Sequence, residues 1–425
     1  MIIPFVGPSY SGTSLNINAQ QAINWYVEKD ATGKNIISLL PTPGTKLFAN
    51  YGALSTRGMH VFNGLLYLVS GNLVYSVNPA GTIIFIGTLL TASGRVSMAD
   101  NGLSPTGGNQ LMIVDGTAGY IYNSGTGVFA RITDINFPST GADMVTFIDG
   151  YFIVNIGGGS SSFQVSNFYD GSTWNALNKS TADADPDLLL AVASTHRDLW
   201  LLGEYTTEVW YDSGQGNPPF ARYPSTLIEH GIAAKWSIAV GDSTLFWLAQ
   251  SRQGKGYVVK SVGYNVQTIS TPAIDDQIST YQNISDAFGY VYTQAGHTFY
   301  VLTFPSADAT WVYDVTTDMW HQRSTYQGDF YGIHRHIGNC YANYMGKHLI
   351  GDYIDGDIYQ MDENVYTDNG QPIVRVRTTQ HLSKDMKTVF IRRLQVDIET
   401  GVGDVTGIDP QVMLSWSDDG AHTWS

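Results

Sequence analysis

A short hairpin pattern that contains a tyrosine recurs along this 425-residue chain and constrains its fold more than any other feature. In its clearest copy, Trp311 to Arg323, aromatic and β-branched residues flank the polar turn Asp314 to Asp318. This pattern is typical of a β-hairpin. The tyrosines that precede the turns of the successive copies are Tyr75, Tyr122, Tyr169, Tyr211, Tyr313 and Tyr359.

The spacing of these tyrosines predicts repeated sheets. Successive tyrosines are 47, 47, 42, 102 and 46 residues apart, and a weaker hairpin, Tyr257 to Tyr264, falls within the longest interval. Such a period is typical of β-propeller blades with four strands each. The sequence therefore predicts an all-β fold, a β-propeller of about seven four-stranded blades, with six blades plus one divergent unit as the alternative.

The two ends of the chain do not follow the repeat. Residues 1–50 are predicted to form an extended arm that packs along the first blades or reaches a neighbour, and residues 51–375 the propeller. Residues 376–425 are predicted to form a small C-terminal β-sheet domain, because Val389 to Ile398 alternates over ten residues as a half-buried strand would. The chain stops directly after a turn, at Trp424 and Ser425, so we expect that a C-terminal piece of this domain is missing.

Composition narrows the function classes. Charged residues make up only 14% of the chain, which suits either a soluble protein coated with Ser, Thr and Asn or a subunit that buries much of its surface against neighbours. The net charge is −15 and the 22 basic residues are scattered, which argues against tight DNA binding. An acidic surface that repels DNA, as a smooth conduit would, remains open, as does charge for solubility alone.

Three further features bear on location. The single cysteine, Cys340, excludes an internal disulfide and a multi-cysteine zinc site. The N-terminal residues lack the basic and apolar regions of a signal peptide, and no apolar run has the length of a membrane span. We therefore expect a protein made in a cytosol, or carried from one in a particle, with no membrane insertion.

One motif resembles a known structural turn. Ser417 to Trp424 is similar to the Asp box of sialidase-type propellers, with Ala421 where that pattern has a glycine. The Asp and Ser side chains of such a box hold a hairpin turn through local hydrogen bonds while the Trp packs beneath. A sialidase would contain several boxes, so we predict a structural role for this one.

Other candidate sites are weaker. His334 and His336 have a spacing that a metal accepts on one face of a strand, with Asp329 and Cys340 nearby in sequence, but a surface or interface role is favoured. The alternating Asp183, Asp185 and Asp187 could supply oxygens to calcium, yet they lack the glycine and glutamate of a known loop and are interpreted as a solvated linker. The remaining features that we interpret as having no catalytic, cofactor or metal role are His230, His321, the glycines 157–159 and the scattered arginines Arg57, Arg95, Arg131, Arg197 and Arg222. The sequence thus predicts that the protein is not an enzyme and binds no cofactor.

Short motifs along most of the chain resemble the phage stabilisation protein family, the packaged-DNA stabilisation or tail-nozzle proteins of short-tailed bacteriophages. The resemblance is weakest over residues 90–180. The motifs that carry the resemblance are Ile3 to Ser9, Asn24 to Glu28, Thr42 to Gly44, His196 to Gly203, Thr207 to Tyr211, Pro219 to Arg222, Ile228 to Gly231, Leu245 to Leu248, Gly254 to Val259, Ile269 to Ile274, Leu414 to Gly420 and His422 to Ser425.

This resemblance implies a structural virion protein of a phage tail, assembled in the host cytoplasm. Such proteins form a ring, expected to be a homo-hexamer, below the portal and its head-to-tail adaptor. The ring extends the DNA channel, through which DNA passes without specific binding, and helps to retain the packaged genome until a tail needle or plug is released. Tail fibres are a further expected partner. The alternatives are a glycan-binding or glycan-cleaving β-propeller of a tail or secreted enzyme, and a cytosolic scaffold.

Overall fold

The computed structural model describes residues 3–382, 389–398 and 412–425, with gaps at 17, 31, 33–36, 51, 53, 225 and 330–331. Five strands precede the repeats. They are β1 (Tyr10–Ser11), β2 (Ala19–Ile23), β3 (Trp25–Lys29), β4 (Ile37–Pro41) and β5 (Gly44–Ala49). β3 and β4 form a separate two-stranded hairpin, while the other three strands join sheets formed by distant parts of the chain.

Six sheets are built from consecutive antiparallel strands, as the hairpin repeat predicts. Sheet 1 contains β6 (Thr56–Phe62), β7 (Leu65–Ser70), β8 (Leu73–Val77) and β9 (Ile83–Thr88). Sheet 2 contains β10 (Ser97–Asp100), β11 (Gln110–Val114), β12 (Gly119–Asn123) and β13 (Val128–Arg131). Sheet 3 contains β14 (Val145–Ile148), β15 (Tyr151–Asn155), β16 (Ser162–Asn167) and β17 (Asp170–Thr181).

Sheets 4 to 6 follow the same order. Sheet 4 contains β18 (Leu189–Thr195), β19 (Asp198–Gly203), β20 (Thr207–Asp212) and β21 (Phe220–Arg222). Sheet 5 contains β22 (Gly231–Ile232), β23 (Ala239–Gly241), β24 (Thr244–Gln250), β25 (Lys255–Val262) and β26 (Asn265–Thr268). Sheet 6 contains β27 (Phe288–Gln294), β28 (His297–Phe304), β29 (Ala309–Asp314) and β30 (Met319–Gln322). Helix α1 (Pro272–Ser279) links sheets 5 and 6, and short 3₁₀ turns lie at Lys235–Ser237 and Pro305–Ala307.

Sheet 7 is composite. Its strands β31 (Gly338–Tyr344), β32 (Lys347–Asp352) and β33 (Ile358–Asp362) are consecutive, but β5 supplies the next strand, and β34 (Thr367–Asp368) and β35 (Gln371–Pro372) extend the edge. Contacts between innermost strands connect sheet 7 back to sheet 1. The prediction of an all-β propeller is confirmed. Six regular blades match the alternative of six blades plus one divergent unit, and the main expectation of about seven four-stranded blades is not confirmed.

The core is divided among the interfaces between sheets. The central strands of each sheet are buried on both faces, so they are almost continuously apolar, as in Leu65–Ser70 and Gln110–Val114. The largest cluster lies between sheets 3, 4 and 5 and includes Phe163, Trp200 and Trp247. Burial of both faces of each sheet is what a ring achieves and an isolated repeat cannot.

The N-terminal arm lies differently from the expectation that it packs along the first blades. Strand β2 pairs with β30 of sheet 6, and β5 pairs with β33 of sheet 7 through partners such as Tyr359 and Leu47. Only its last residues reach sheet 1, where Ala49 packs against Leu66. The arm therefore covers the outer edges of the last two sheets and completes the ring.

The C-terminal expectation is corrected in one respect. Residues 376–378 form β36 (Val376–Thr378), which pairs with β2 and so belongs to sheet 6. The alternating stretch Val389 to Ile398 is not a strand, and its apolar side chains other than Val389 are exposed, with Phe390 86% accessible. The reason is that alternation favours a strand only where a neighbour supplies backbone hydrogen bonds and an apolar surface. Residues 383–388 and 399–411 lie outside the described residues, and the domain division stays a prediction.

Candidate functional site

An arginine crosses the tunnel, the axial space enclosed by the innermost strands. Arg95 lies two residues before β10 of sheet 2, and its Nη2 donates to the carbonyl oxygen of Asn339 of sheet 7 at 2.6 Å. Its guanidinium also stacks 3.5 Å from the ring centroid of Phe288, the first residue of β27 in sheet 6. Burial lowers the pKa of Arg95 to about 10, so it remains charged at neutral pH. One side chain thus joins sheet 2 to sheets 6 and 7, which lie about 200 residues further along the chain.

A second contact spans the same end of the tunnel. Lys235, in the 3₁₀ turn before β23 of sheet 5, forms an ion pair of 2.9 Å with Asp143, two residues before β14 of sheet 3. Asn339 also donates to the carbonyl oxygen of Thr56, at the start of β6. These contacts lie where the innermost strands begin. Side chains from non-adjacent sheets therefore meet across this end of the tunnel.

Exposed apolar side chains are concentrated in the C-terminal segments. In soluble proteins, contiguous exposed apolar surface marks an interaction site. The large apolar residues exposed in these segments are Phe390, Ile391, Leu394, Val396, Ile398, Val412, Met413, Leu414, Trp416 and Trp424. The described residues 389–398 and 412–425 thus supply the strongest candidate assembly surface.

Contacts with the N-terminal arm hold the start and the end of this C-terminal region. Arg377 donates to the carbonyl oxygens of Phe5, Pro8 and Gln21, at distances of 2.5–3.1 Å, and to Oε1 of Gln20 at 2.7 Å. Further along, Nε2 of His381 lies 2.5 Å from the carbonyl oxygen of Leu15, and Gly420 packs directly against Asn16. The region is therefore tied to the side of the propeller where sheet 6 ends.

Outer sheet edges form the second candidate surface. Sheets 6 and 7 are extended by strands of the arm, whereas sheets 1 to 5 end at β9, β13, β17, β21 and β26. Charged residues commonly protect such edges from unwanted pairing, and β13, β17 and β21 each contain at least one. β9 and β26 have none, and Ile84 and Phe85 of β9 are each 56% exposed.

The Asp-box resemblance corresponds to a turn with the expected hydrogen bonds. Asp419 accepts from the backbone N–H groups of His422 and Thr423 and from the Thr423 hydroxyl at 2.6–3.0 Å, and Ser417 donates to it at 2.8 Å. Hydrogen bonds from Thr423 and Ser417 lower the pKa of Asp419. Trp424 is half exposed, so the expected packing beneath the turn is only partial. The geometry is that of a structural turn.

The predicted metal candidates do not converge. His334 Nδ1 lies 2.7 Å from Asp308, whereas His336 is buried and its Nδ1 accepts from the N–H of Gly338. Burial and the charge of Arg323 lower the pKa of His336 to about 3. Cys340 is also buried, which raises the pKa of its thiol to about 12.

The three aspartates also contact different partners. Asp185 pairs with Arg252 at 2.6 Å, and Asp187 accepts from the N–H groups of residues 204–206, while Asp183 is exposed. Within the described ranges, no three His, Cys, Asp or Glu side chains are placed to hold a metal ion. None of the described helices is long and apolar enough to cross a membrane.

The remaining sequence candidates have structural surroundings. His230 shares a 2.8 Å hydrogen bond with the Tyr257 hydroxyl, and His321 is buried against Tyr26 and Phe299, where burial and the charge of His297 lower its pKa to about 3. Gly157 donates to the carbonyl oxygen of Gly141 in a turn.

The arginines divide into two groups. Arg57 is buried and donates to four carbonyl oxygens and to the Thr91 hydroxyl. Arg197 pairs with Asp149 at the surface, and Arg131 and Arg222 are exposed. Sequence reasoning identified Arg95 but not its role, because its partners lie about 200 residues away and no local pattern indicates them.

The fold and this site define a β-propeller with a crossed tunnel. The extracellular domain of a one-component system from B. thetaiotaomicron aligns with a TM-score of 0.50 at 11% identity, over 80% of this chain and 46% of that one. The WD40 repeats of RRP9 align with a TM-score of 0.47 at 10% identity, over 76% and 99% of the two chains. The WD40 domain of Pan2 from Neurospora crassa has a TM-score of 0.47 at 9% identity, over 76% and 97%. The first of these likenesses supports the fold alone.

A family match is more specific. The model of the family described as "Bacteriophage P22 Gp10, beta-propeller" matches residues 2–366. The chain belongs to this phage stabilisation family, and its class is that of phage structural proteins. A search of the curated proteins found no match.

Proposed function

We propose that this chain is a tail component of a bacteriophage virion that assembles into a ring below the portal and its head-to-tail adaptor. The ring, a homo-hexamer in this proposal, extends the DNA channel and helps to retain the packaged genome. Family membership supports a virion role, and the exposed apolar C-terminal segments carry the assembly role, because a free monomer gains nothing from exposing them.

The crossed tunnel supports a specific path for DNA. Arg95 and the Lys235–Asp143 pair occupy one end of the propeller's own axis. DNA would therefore pass between copies, along the axis of the ring, and each propeller would act as a rigid wall segment. The net charge of −15 would limit adhesion of the phosphate backbone to this wall. We count the composite sheet 7 as a blade of this rigid body.

The ring proposal predicts the partners. The head-to-tail adaptor would contact one face, and the tail needle, plug or fibres the other. The C-terminal segments would supply contacts between copies, since their exposed side chains are apolar whereas the chain as a whole is acidic. Assembly would take place in the host cytoplasm, and the protein would remain in the tail of the virion.

Light scattering after size exclusion, with the full chain alone and mixed with the purified adaptor, tests the proposal. We expect a ring, either directly or only in the mixture. Leu414→Asp should reduce ring formation, while Asp183→Asn, a change of another exposed residue, should not. A chain that stays monomeric with the adaptor and binds or hydrolyses glycans would contradict the proposal and favour the glycan-binding alternative.

A further inference from the structure

We propose that the open edge of β9 receives residues 389–398 of a second copy of this chain as an added strand. This inference rests on the proposed function for the existence of a ring, and it names the surfaces through which neighbouring copies would join. Strand addition to a sheet edge provides backbone hydrogen bonds, and the alternating side chains provide specificity.

The receiving surface is an uncharged, apolar sheet edge. Residues 82–91 contain no charged side chain, and β9 pairs only with β8 in the part of the chain that the structure describes. Its Ile84 and Phe85 are adjacent, so they lie on opposite faces of the sheet, and both are more than half exposed. A bulge near Ile86 leaves the Ile83–Phe85 half of the strand regular. Side chains of an added strand would lie beside Ile84 on one face of the sheet and beside Phe85 on the other.

Neighbouring outer strands extend this apolar surface. Phe48 of β5 packs in one cluster with Ile83, and the ring of Phe129 of β13 lies over Gly87. These two rings lie on the sides of β5 and β13 that face sheet 1. An added strand at β9 would therefore lie between apolar side chains of both neighbouring sheets.

The inserted segment has the matching pattern. In residues 389–398 one parity carries Phe390, Leu394, Val396 and Ile398, interrupted by Arg392, and the segment has no strand partner among the described residues. Arg392, Arg393 and Asp397 give the segment a charge of +1, while the chain carries −15. Two acidic copies would thus meet at an uncharged edge and a weakly basic segment, where repulsion between them is least.

The anchoring of the C-terminal region favours a second copy over the same chain. His381 and Gly420 are held at Leu15 and Asn16, beside β2 at the outer edge of sheet 6. Residues 389–398 are exposed apart from Val389, and in the described part of the chain they pair with no strand. A contact that uses two different surfaces is heterologous, and repeated copies of it close into a ring when the rotation allows.

Cross-linking between single-cysteine variants tests the inference. Ile84→Cys and Leu394→Cys both change exposed residues. The native Cys340 is buried and its thiol pKa is raised to about 12, so it should not react. In an equimolar mixture treated with a flexible bis-maleimide, we expect at least tenfold more cross-linked dimer than with either variant alone. Leu177→Cys, on the outer strand β17 of sheet 3 and also exposed, replaces Ile84→Cys as the matched control.

The outcomes separate the inference from the proposed function. Equal cross-linking with Leu177→Cys, no cross-link at all, or closure within one chain carrying both cysteines would overturn the inference. A second measurement uses Ile84→Lys combined with Phe85→Lys, which should reduce incorporation into tails at least tenfold. Normal incorporation of this variant overturns the inference and leaves the function standing. Cross-linking at β9 by a wild-type-like chain that never enters particles would overturn the function instead.

Discussion

The guanidinium of Arg95 stacks 3.5 Å from the centroid of the Phe288 ring and donates to the carbonyl oxygen of Asn339 at 2.6 Å. Sheet 2 is thereby joined to sheets 6 and 7 by one side chain. Because a charged hydrogen bond contributes about 1.5–3 kcal/mol and a cation–π contact about 0.5–2 kcal/mol, this contact is expected to stabilise ring closure.

Removal of this side chain should destabilise the propeller. We expect Arg95→Ala to lower the free energy of unfolding by about 2–4 kcal/mol, as measured by urea unfolding. Arg131→Ala, a change of an exposed arginine on β13, should change it by less than about 0.5 kcal/mol. Equal effects of the two substitutions would show that Arg95 does not hold the sheets together.

Stability should depend on pH through Asp352. Burial, together with the neighbouring Asp355 and Asp357, raises the pKa of Asp352 above its ordinary value of 3.8. The folded protein therefore binds the proton of the Asp352 carboxyl more tightly than the unfolded chain does. The stabilisation that this proton provides is complete below pH 3.8 and is lost as pH rises through the folded-state pKa.

Replacement of this carboxyl by an amide removes that pH dependence. We expect the melting temperature of Asp352→Asn minus that of the wild type to increase as pH rises from about 4 to about 8. Thermal unfolding at several pH values measures this, with the exposed Asp183→Asn as the matched control. A constant difference between variant and wild type over this range would contradict the assignment.

Strand β5 should be required for a stable ring. Five residue pairs join β5 to β33, and backbone hydrogen bonds contribute about 0.5–1.5 kcal/mol each. A chain that begins at residue 55 should thus be less stable than one that begins at residue 43 by on the order of 3 kcal/mol. Both lack β1 to β4, so the comparison isolates β5. Equal unfolding midpoints would show that β5 is not needed for a stable ring.

The Arg377 contacts should hold the first residues of the arm. Its guanidinium bonds to Phe5, Pro8, Gln20 and Gln21. In Arg377→Met, which keeps an apolar stem of similar length, we expect hydrogen exchange of residues 5–12 to accelerate at least about tenfold, the equivalent of 1.4 kcal/mol, while exchange in β7 stays unchanged. Arg222→Met is the control on an exposed strand. Unchanged exchange at residues 5–12 would mean that other contacts suffice.

The repeat could be predicted from the sequence because its signal is local. Tyr75, Tyr122, Tyr211, Tyr313 and Tyr359 all lie in the third strand of their sheets, in β8, β12, β20, β29 and β33. Tyr169 is the exception, since it lies in the turn after β16 with a positive φ of 53°. Each hairpin is specified by residues a few positions apart, so periodic spacing was sufficient to infer a propeller.

The expectations that differ from the structure depend on contacts between distant residues. Val389 to Ile398 alternates as a strand should, yet no neighbouring strand is present in the described residues to pair with it. The arm was expected to pack along the first blades or to reach a neighbour, and within this chain the partner of Leu47 is Tyr359 of the last sheet. A local pattern indicates that a segment can form a strand, but it does not identify the distant segment with which that strand pairs.

By itself, the sequence determined the hairpin units, their period and the absence of a recognisable catalytic motif, because each depends on neighbours in the chain. Only the tertiary structure decided that β5 completes sheet 7 and that Arg95 reaches Phe288 and Asn339. These contacts join residues about 200 to 300 positions apart. They form only when the ring closes, because it is ring closure that brings the two ends of the chain to the same place.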